Sequence, residues 1–184
     1  MTNVVGFDDA PFAREHRGDV LLVGAVCSRT RLDGVLSGRV RRDGSNSTDR
    51  MIEMIERSQF EAHIRAVLLQ GIAVAGFNVV DVVRLHEELG VPVLVVARRP
   101  PDLAAIHRAL FARVPGAAKK WSLIQRAGEM EPLRGIYVQR IGLGTGEARE
   151  LLRLTTLHGH LPEALRMAHL IAGGVTTGKS RGRA

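Results

Sequence analysis

Two adjacent carboxylates, Asp8 and Asp9, follow directly on the apolar run Val4-Val5-Gly6-Phe7. Neighbouring carboxylates at a strand terminus are hard oxygen donors of the kind Mg²⁺ takes while it keeps several of its waters. Asp followed by Ala10-Pro11 is also ordinary turn chemistry, and spacing alone leaves both readings open. A second segment, Leu68 to Asp81, runs from an apolar stretch through Gly71 and Gly76 towards a helical pattern. Glycines at a strand end let the backbone approach a phosphate, and Gly71, Gly76, Phe77 and Asn78 are candidates for that contact. The pattern is neither a Walker loop nor a dinucleotide fingerprint, and Asn78 equally suits the cap of the next helix. Late in the chain, Glu163, Arg166 and His169 recur at steps of three, which places them on one stripe of a helix. An imidazole and a guanidinium on one stripe can face a phosphate together; a helical histidine can equally be a structural or solvated residue. Arg39/Arg41/Arg42, Arg98/Arg99 and Lys119/Lys120 would suit a groove for a charged backbone, or simply a solvated face.

These residues need elements to hold them. Asn3 to Phe7, Val20 to Val26 and Gly34 to Arg42 read as three consecutive strands of an antiparallel meander, separated by Gly, Asp and Pro. After Ser47 the period changes: Met51, Ile52, Met54 and Ile55 predict a helix to about Ser58, with Ser47 or Thr48 as its cap. Ala66 to Leu69 and Val91 to Ala97 read as buried strands, separated by a helix over Val79 to Leu89 that Gly90 closes. Further helices are expected over Leu103 to Val114, Lys119 to Arg126 and Glu147 to Leu157, and an edge strand over Gly135 to Arg140. A last helix follows Pro162, with Leu165, Ala168, Leu170 and Ala172 facing the core. Three antiparallel strands followed by helix and parallel strand in alternation is the order of a ribonuclease H-like mixed sheet flanked by helices.

The chain has 184 residues, enough to bury a core without staples, and reads as one domain over 1–184 with a basic tail from about residue 175. Its single cysteine, Cys27, lies in an apolar run and excludes an intramolecular disulfide or a cysteine-based zinc site. The start of the chain has no signal-peptide pattern and no stretch is apolar enough to span a membrane, so a cytoplasmic address and no membrane partner are expected. Net charge is +7 and the isoelectric point near 10.8, which favours polyanionic partners. Lysine occurs only at 119, 120 and 179, so the charge is nearly all arginine, a bias that base composition of the genome also produces. Nothing in the sequence points to an oligomeric state.

Taken together, GFDDAPF, the Asp43-Gly44 step followed by Thr48, QGIAVAGFNVVD, LPEALRMAHLIAGG and the closing KSRGRA resemble, over nearly the whole chain, the endonuclease dU family. That family is mainly archaeal and related to endonuclease V. The resemblance implies a ribonuclease H-like core whose first-strand aspartate binds Mg²⁺, with Mn²⁺ as a substitute; Asp8 matches that position and Asp9 lies beside it. Endonuclease V also carries Pro-Glu-x-x-Arg-x-Ala-His in its last helix, with the histidine near the metal. Pro162, Glu163, Arg166, Ala168 and His169 match it position for position. One departure stands out: a metal-binding Asp before Gly at the end of the fourth strand is here Gln70. An amide oxygen can coordinate Mg²⁺ but brings no charge. Asp43, Asp49 and Asp81 are the carboxylates available to compensate, and Asp43, in its Asp-Gly turn, is the choice.

The implied activity is a Mg²⁺-dependent endonuclease acting in DNA repair on DNA with deaminated bases, uracil being the family's target. Asp8, Asp9, Asp43 and His169 would be the catalytic groups, with Asp8, Asp9 and Gln70 as metal ligands. Arg98, Arg166 and Lys179 would bind the nucleic acid, and Gly71 to Phe77 would form part of a pocket for an unstacked base. The rival, favoured by Gln70, is a ribonuclease H-like module that binds nucleic acid or a partner protein without cutting. A binder of free nucleotides is a third reading, since strand-end glycines suit that ligand too.

Overall fold

The computed structural model describes residues 3–180. Its centre is a seven-stranded sheet in the order β3-β2-β1-β4-β7-β9-β8. Strands β1 (Asn3–Asp9), β2 (Asp19–Ser28) and β3 (Arg31–Arg41) form the expected antiparallel meander. Strand β4 (Ala66–Gln70) pairs parallel with β1, and β7 (Val93–Ala97) pairs parallel with β4. This is the ribonuclease H-like order anticipated from the alternation of elements. Strands β4 and β7 are almost wholly buried, as a parallel pair covered on both faces requires.

Helix α1 (Ser47–Glu56) packs beside β3 and against α2 (Val82–Leu89), which ends on Gly90 in the left-handed conformation. Between β4 and α2 the chain makes a small hairpin, β5 (Ala73–Val74) and β6 (Asn78–Val79). Helices α3 (Leu103–Arg113) and α4 (Ala117–Arg126) follow β7 and enclose a second apolar cluster around Val79, Leu110 and Ile124. Strand β8 (Glu131–Leu133) then turns into β9 (Ile136–Ile141), and α5 (Thr145–Thr155) and α6 (Glu163–Thr177) complete the chain.

Four expectations need correction. The strand expected at the edge, β9, lies between β7 and β8, and the short β8 is the edge. Helix α2 begins three residues later than its apolar period suggests, because Val79 belongs to the hairpin and the Asp81 side chain caps the helix by accepting from Arg84 N. Neither Ser47 nor Thr48 caps α1: the Ser47 hydroxyl bonds the carbonyls of Asn78 and Val79, and Thr48 Oγ1 accepts from Asp81 N. The segment expected to open a basic tail is still helical through Thr177; residues 181–184 of that tail lie outside the described residues. No helix among the described residues is long and apolar enough to cross a membrane.

The position of α6 decides the site. It lies across β1 and β2, and its buried face is Ala164, Leu165, Ala168, Ala172 and Gly173, with Leu170 only half-buried. The helix can come this close because Gly6 has no side chain: a Cβ there would sit 2.6 Å from the Ala164 carbonyl carbon.

Candidate active site

Side chains alternate along a strand, so the contact of Gly6 with α6 fixes the facing of its neighbours. Asp8, two residues on, also faces α6, and Asp9 faces the opposite side of the sheet. On the α6 side, Asp8 Oδ2 lies 2.8 Å from His169 Nδ1. The carboxylate oxygen accepts, so Nδ1 carries the proton and the ring is held in one orientation. Nε2 has no partner among the described residues, and the imidazole keeps 31% of its side-chain exposure, which leaves this nitrogen reachable from solvent. Sequence positions 161 residues apart are thereby joined.

On the other side, Asp9 accepts a hydrogen bond from the Ala75 backbone amide, in the turn of the β5-β6 hairpin. Burial raises the pKa of Asp8 above the usual carboxylate value, opposed by its bond to His169. Asp9 is pushed up to about 6, by burial first and then by the Asp8 charge next to it. Two carboxylates held this way are destabilised as anions, and a cation beside them would relieve both.

Gln70 ends β4 one strand away. Phe7 pairs with Leu69 in the parallel register, so the next residues on the two strands, Asp8 and Gln70, emerge side by side. The Gln70 Oε1 atom is buried and has no hydrogen-bond partner. An orphaned amide oxygen beside a buried carboxylate is a donor pair that fits a hard divalent cation such as Mg²⁺. Among the described residues, however, no three carboxylate, imidazole or thiol groups converge as a metal-holding cluster. The protein oxygens that fit are those of Asp8 and Gln70, with Asp9 adjacent on the far face.

Asp43 does not join them. It adopts a left-handed backbone (φ 53°), and its Oδ1 accepts from Phe77 N at 2.8 Å while Oδ2 lies 3.3 Å from Arg42 Nε. Its own amide donates to Ala75 O at 2.9 Å. Asp43 thus clamps the loop whose Ala75 amide reaches Asp9. Asp49 pairs with Arg84 and Asp81 with Arg126, so neither of the other spare carboxylates reaches the site.

The loop from Gly71 to Asn78 is held largely by contacts within the fold. A Cβ on Gly76 would fall 2.4 Å from Asp43 Oδ1, so the space a ligand would use at this glycine holds a carboxylate. Phe77 packs on the α3-α4 cluster and its amide is taken by Asp43. Asn78 caps no helix: fully buried, it accepts from Ser47 N and donates to Arg41 O and Asn46 Oδ1, tying α1 to the hairpin. Gly71, at the end of β4, has open space over its Cα.

The arginines are placed differently. Arg98 follows β7 at the same end of the sheet as Asp8 and Gln70, and with Arg166, His158 and His160 it lines a cavity of about 370 Å³. Arg166 is fixed from behind, its Nε and Nη2 both donating to Glu163 Oε2, and Glu163 is only 1% exposed. His158 and His160 have no spacing signal; only the turn into α6 brings them to Arg166. Lys179 lies exposed just beyond the end of α6.

The chain matches endonuclease dU over residues 1–176. It belongs to that family. A UPF0215 protein of Deinococcus radiodurans is 57% identical over 183 residues, covering 100% of this chain and 93% of that one. A UPF0215 protein of Methanothermobacter thermautotrophicus is 44% identical and covers 98% of this chain and 91% of that one. Among solved structures, an Archaeoglobus fulgidus protein of unknown function superposes with a TM-score of 0.89 at 32% identity, covering 96% of this chain and 99% of the other. Endonuclease V of Bacillus subtilis gives a TM-score of 0.60 at 11% identity, with coverage of 94% and 79%. Endonuclease V of Ciona intestinalis, bound to DNA containing an inosine followed by a ribo-adenosine, gives 0.57 at 14% identity, with coverage of 91% and 82%. At these identities the endonuclease V likeness establishes the shared fold, and the endonuclease dU match establishes the family.

Proposed function

We propose that this member of the endonuclease dU family is a divalent-metal-dependent endonuclease that cuts a DNA phosphodiester near a deaminated base, uracil foremost, in DNA repair. The observation that carries the reading is the 2.8 Å contact between Asp8 and His169 beside the orphaned Gln70 oxygen. Support also comes from the family name and from endonuclease V neighbours bound to inosine-containing DNA.

Asp8 and Gln70 would hold Mg²⁺ or Mn²⁺, with the Asp9 charge adding to the local field. Such an ion supplies charge neutralisation at a phosphate and a water of lowered pKa. The chain's own groups supply the rest. His169, oriented through Nδ1 by Asp8, presents Nε2 to hold or pass a proton at the phosphate. Arg166, braced by Glu163, and Arg98 across the cavity would bind phosphate oxygens of the flanking strand.

Incubating the protein with oligonucleotides containing uracil, inosine or only normal bases, with Mg²⁺ or Mn²⁺, tests the proposal directly. Nicking of the uracil strand is expected, reduced at least about 100-fold by Asp8→Ala, which also excludes a contaminating nuclease. Tight binding without nicking under either metal would instead favour a non-cutting nucleic-acid-binding module, the reading that the neutral Gln70 supports.

A further inference from the structure

On the Asp9 face of the sheet, a cavity of about 470 Å³ opens between the Pro100-Pro101 loop, α4 and β9. Its walls are largely apolar, with Pro100, Pro101, Trp121, Ile124 and Met130 among them, and Gln139 is its buried polar residue. Gln139 is 6% exposed and lies in the middle of β9, opposite Val95. Its Nε2 donates to Gly128 O at 2.5 Å. A backbone carbonyl can only accept, so the amide nitrogen must face Gly128 and the orientation of the group is settled. Oε1 is therefore the free end, and it is buried without any partner. Buried acceptors in native proteins are nearly always satisfied, so an open one on a cavity-lining residue is a place where a ligand N–H can bond.

The shape of the walls narrows the ligand. Trp121 is braced by His107, whose ring meets it edge-on at a centroid distance of 4.8 Å, and the two prolines form a stiff opposite rim. A slot of apolar side chains and an indole, with Gln125 and Glu129 exposed in its lining and one buried acceptor, suits a planar heterocycle carrying a ring N–H. Deamination makes that change in a nucleobase. Cytosine N3 is an acceptor and uracil N3 carries a hydrogen; adenine N1 is an acceptor and hypoxanthine N1 carries a hydrogen. The Gln139 oxygen opposite the ring nitrogen meets a donor in each deaminated base and another acceptor in each parent.

The location agrees. The loop through Pro100 leaves β7 at the sheet end where Asp8 and Gln70 sit, and β1, β4 and β7 are neighbours. Gln139 lies on β9, three strand spacings of about 4.8 Å from β1, so roughly 14 Å separates it from the end of β1, within reach of a base swung out a nucleotide or two along a strand held at Asp8. We infer that this cavity receives the unstacked deaminated base, with Gln139 Oε1 accepting from its ring N–H and Trp121 forming a wall. The inference rests on the nuclease reading for its substrate class, and it moves the base pocket away from the loop at Gly76, which Asp43 fills.

Trp121 is the single tryptophan of the chain, so its emission reports on the cavity itself. The full-length protein in EDTA is titrated with short single-stranded oligonucleotides that differ at one central base: deoxyuridine, deoxycytidine or 3-methyldeoxyuridine. Saturable quenching is expected with the deoxyuridine strand, and at least about tenfold weaker binding with the other two, since one hydrogen bond is lost in each. Gln139→Met should erase the preference; the 3-methyl probe tests the same contact without altering the protein. Equal quenching by the 3-methyl strand, no quenching by the deoxyuridine strand, or an intact preference in a folded Gln139→Met protein would each overturn the inference. Base preference without nicking under any metal would leave the pocket standing and remove the nuclease reading. Uracil-specific nicking that Gln139→Met leaves unchanged would do the reverse.

Discussion

Asp9 shows what the carboxylate pair costs the fold. The folded chain keeps the Asp9 proton up to about pH 6, whereas the unfolded chain releases it near the ordinary aspartate value of 3.8. Between those values the native state binds more protons, so the contribution of this residue is full below the unfolded pKa and is lost as pH rises through 6. Asp9→Asn removes the loss. In EDTA, thermal unfolding of the wild type should therefore drop between about pH 4 and 7 relative to Asp9→Asn, and the variant should be more stable at neutral pH by roughly 1 kcal/mol, discounted for partial exposure. A melting midpoint that tracks pH identically in both proteins would show that Asp9 is not shifted in the folded chain. Excess Mg²⁺ should raise the wild-type midpoint and leave Asp8→Ala nearly unmoved, because only a cation bound to the folded state shifts it.

At the scale of elements, the approach of α6 to β1 is the contact on which the site depends. Gly6→Ala would place a methyl 2.6 Å from the Ala164 carbonyl carbon, so helix or strand must shift. Overpacking of this kind costs about 1–3 kcal/mol. Gly6→Ala should lower the denaturation midpoint by that amount and weaken nicking together with it, since the displaced helix carries His169. Chemical denaturation read beside the nicking assay checks both. The order of elements was legible in the sequence because period and punctuation agree there: the apolar runs of β1, β2, β4 and β7 have few competing readings. His169 was legible only through the Pro-Glu-x-x-Arg-x-Ala-His pattern, since nothing local distinguishes a helical histidine that meets a carboxylate from one that meets water. The hairpin β5-β6 was not legible, because two-residue strands carry no period and Asn78 looks like a cap wherever a helix follows. The contacts of Asp43 with the hairpin were not legible for a similar reason. A loop aspartate beside a glycine suits a cation or a backbone amide equally, and only the fold brings Phe77 N to it.

For the molecule as a whole, the net charge of +7 sits mostly on arginine, and only some of it faces the site. Arg42, Arg84, Arg140 and Arg166 are occupied by carboxylates of the fold, whereas Arg98 lines the cavity beside Arg166 with no acidic partner among the described ion pairs. If Arg98 holds a phosphate, Arg98→Ala should weaken binding similarly for uracil and normal strands and reduce the slope of log K against log salt by about 1. Fluorescence anisotropy across a salt series measures this, and an unchanged slope would remove Arg98 from the interface. Arg166 is a poorer probe, because losing it would strand the buried Glu163 charge and disturb the fold.

The helix that completes the acid–imidazole pair is synthesised long after the strand it covers. A nascent chain presents Asp8 at once and can begin its β meander early, but it holds no His169 and no cover for Gly6 until some 160 further residues have been made, the separation of Asp8 from His169. If the chain cuts DNA as proposed, that competence waits for α6, and a chain arrested before Glu163 would lack both His169 and the cover of Gly6.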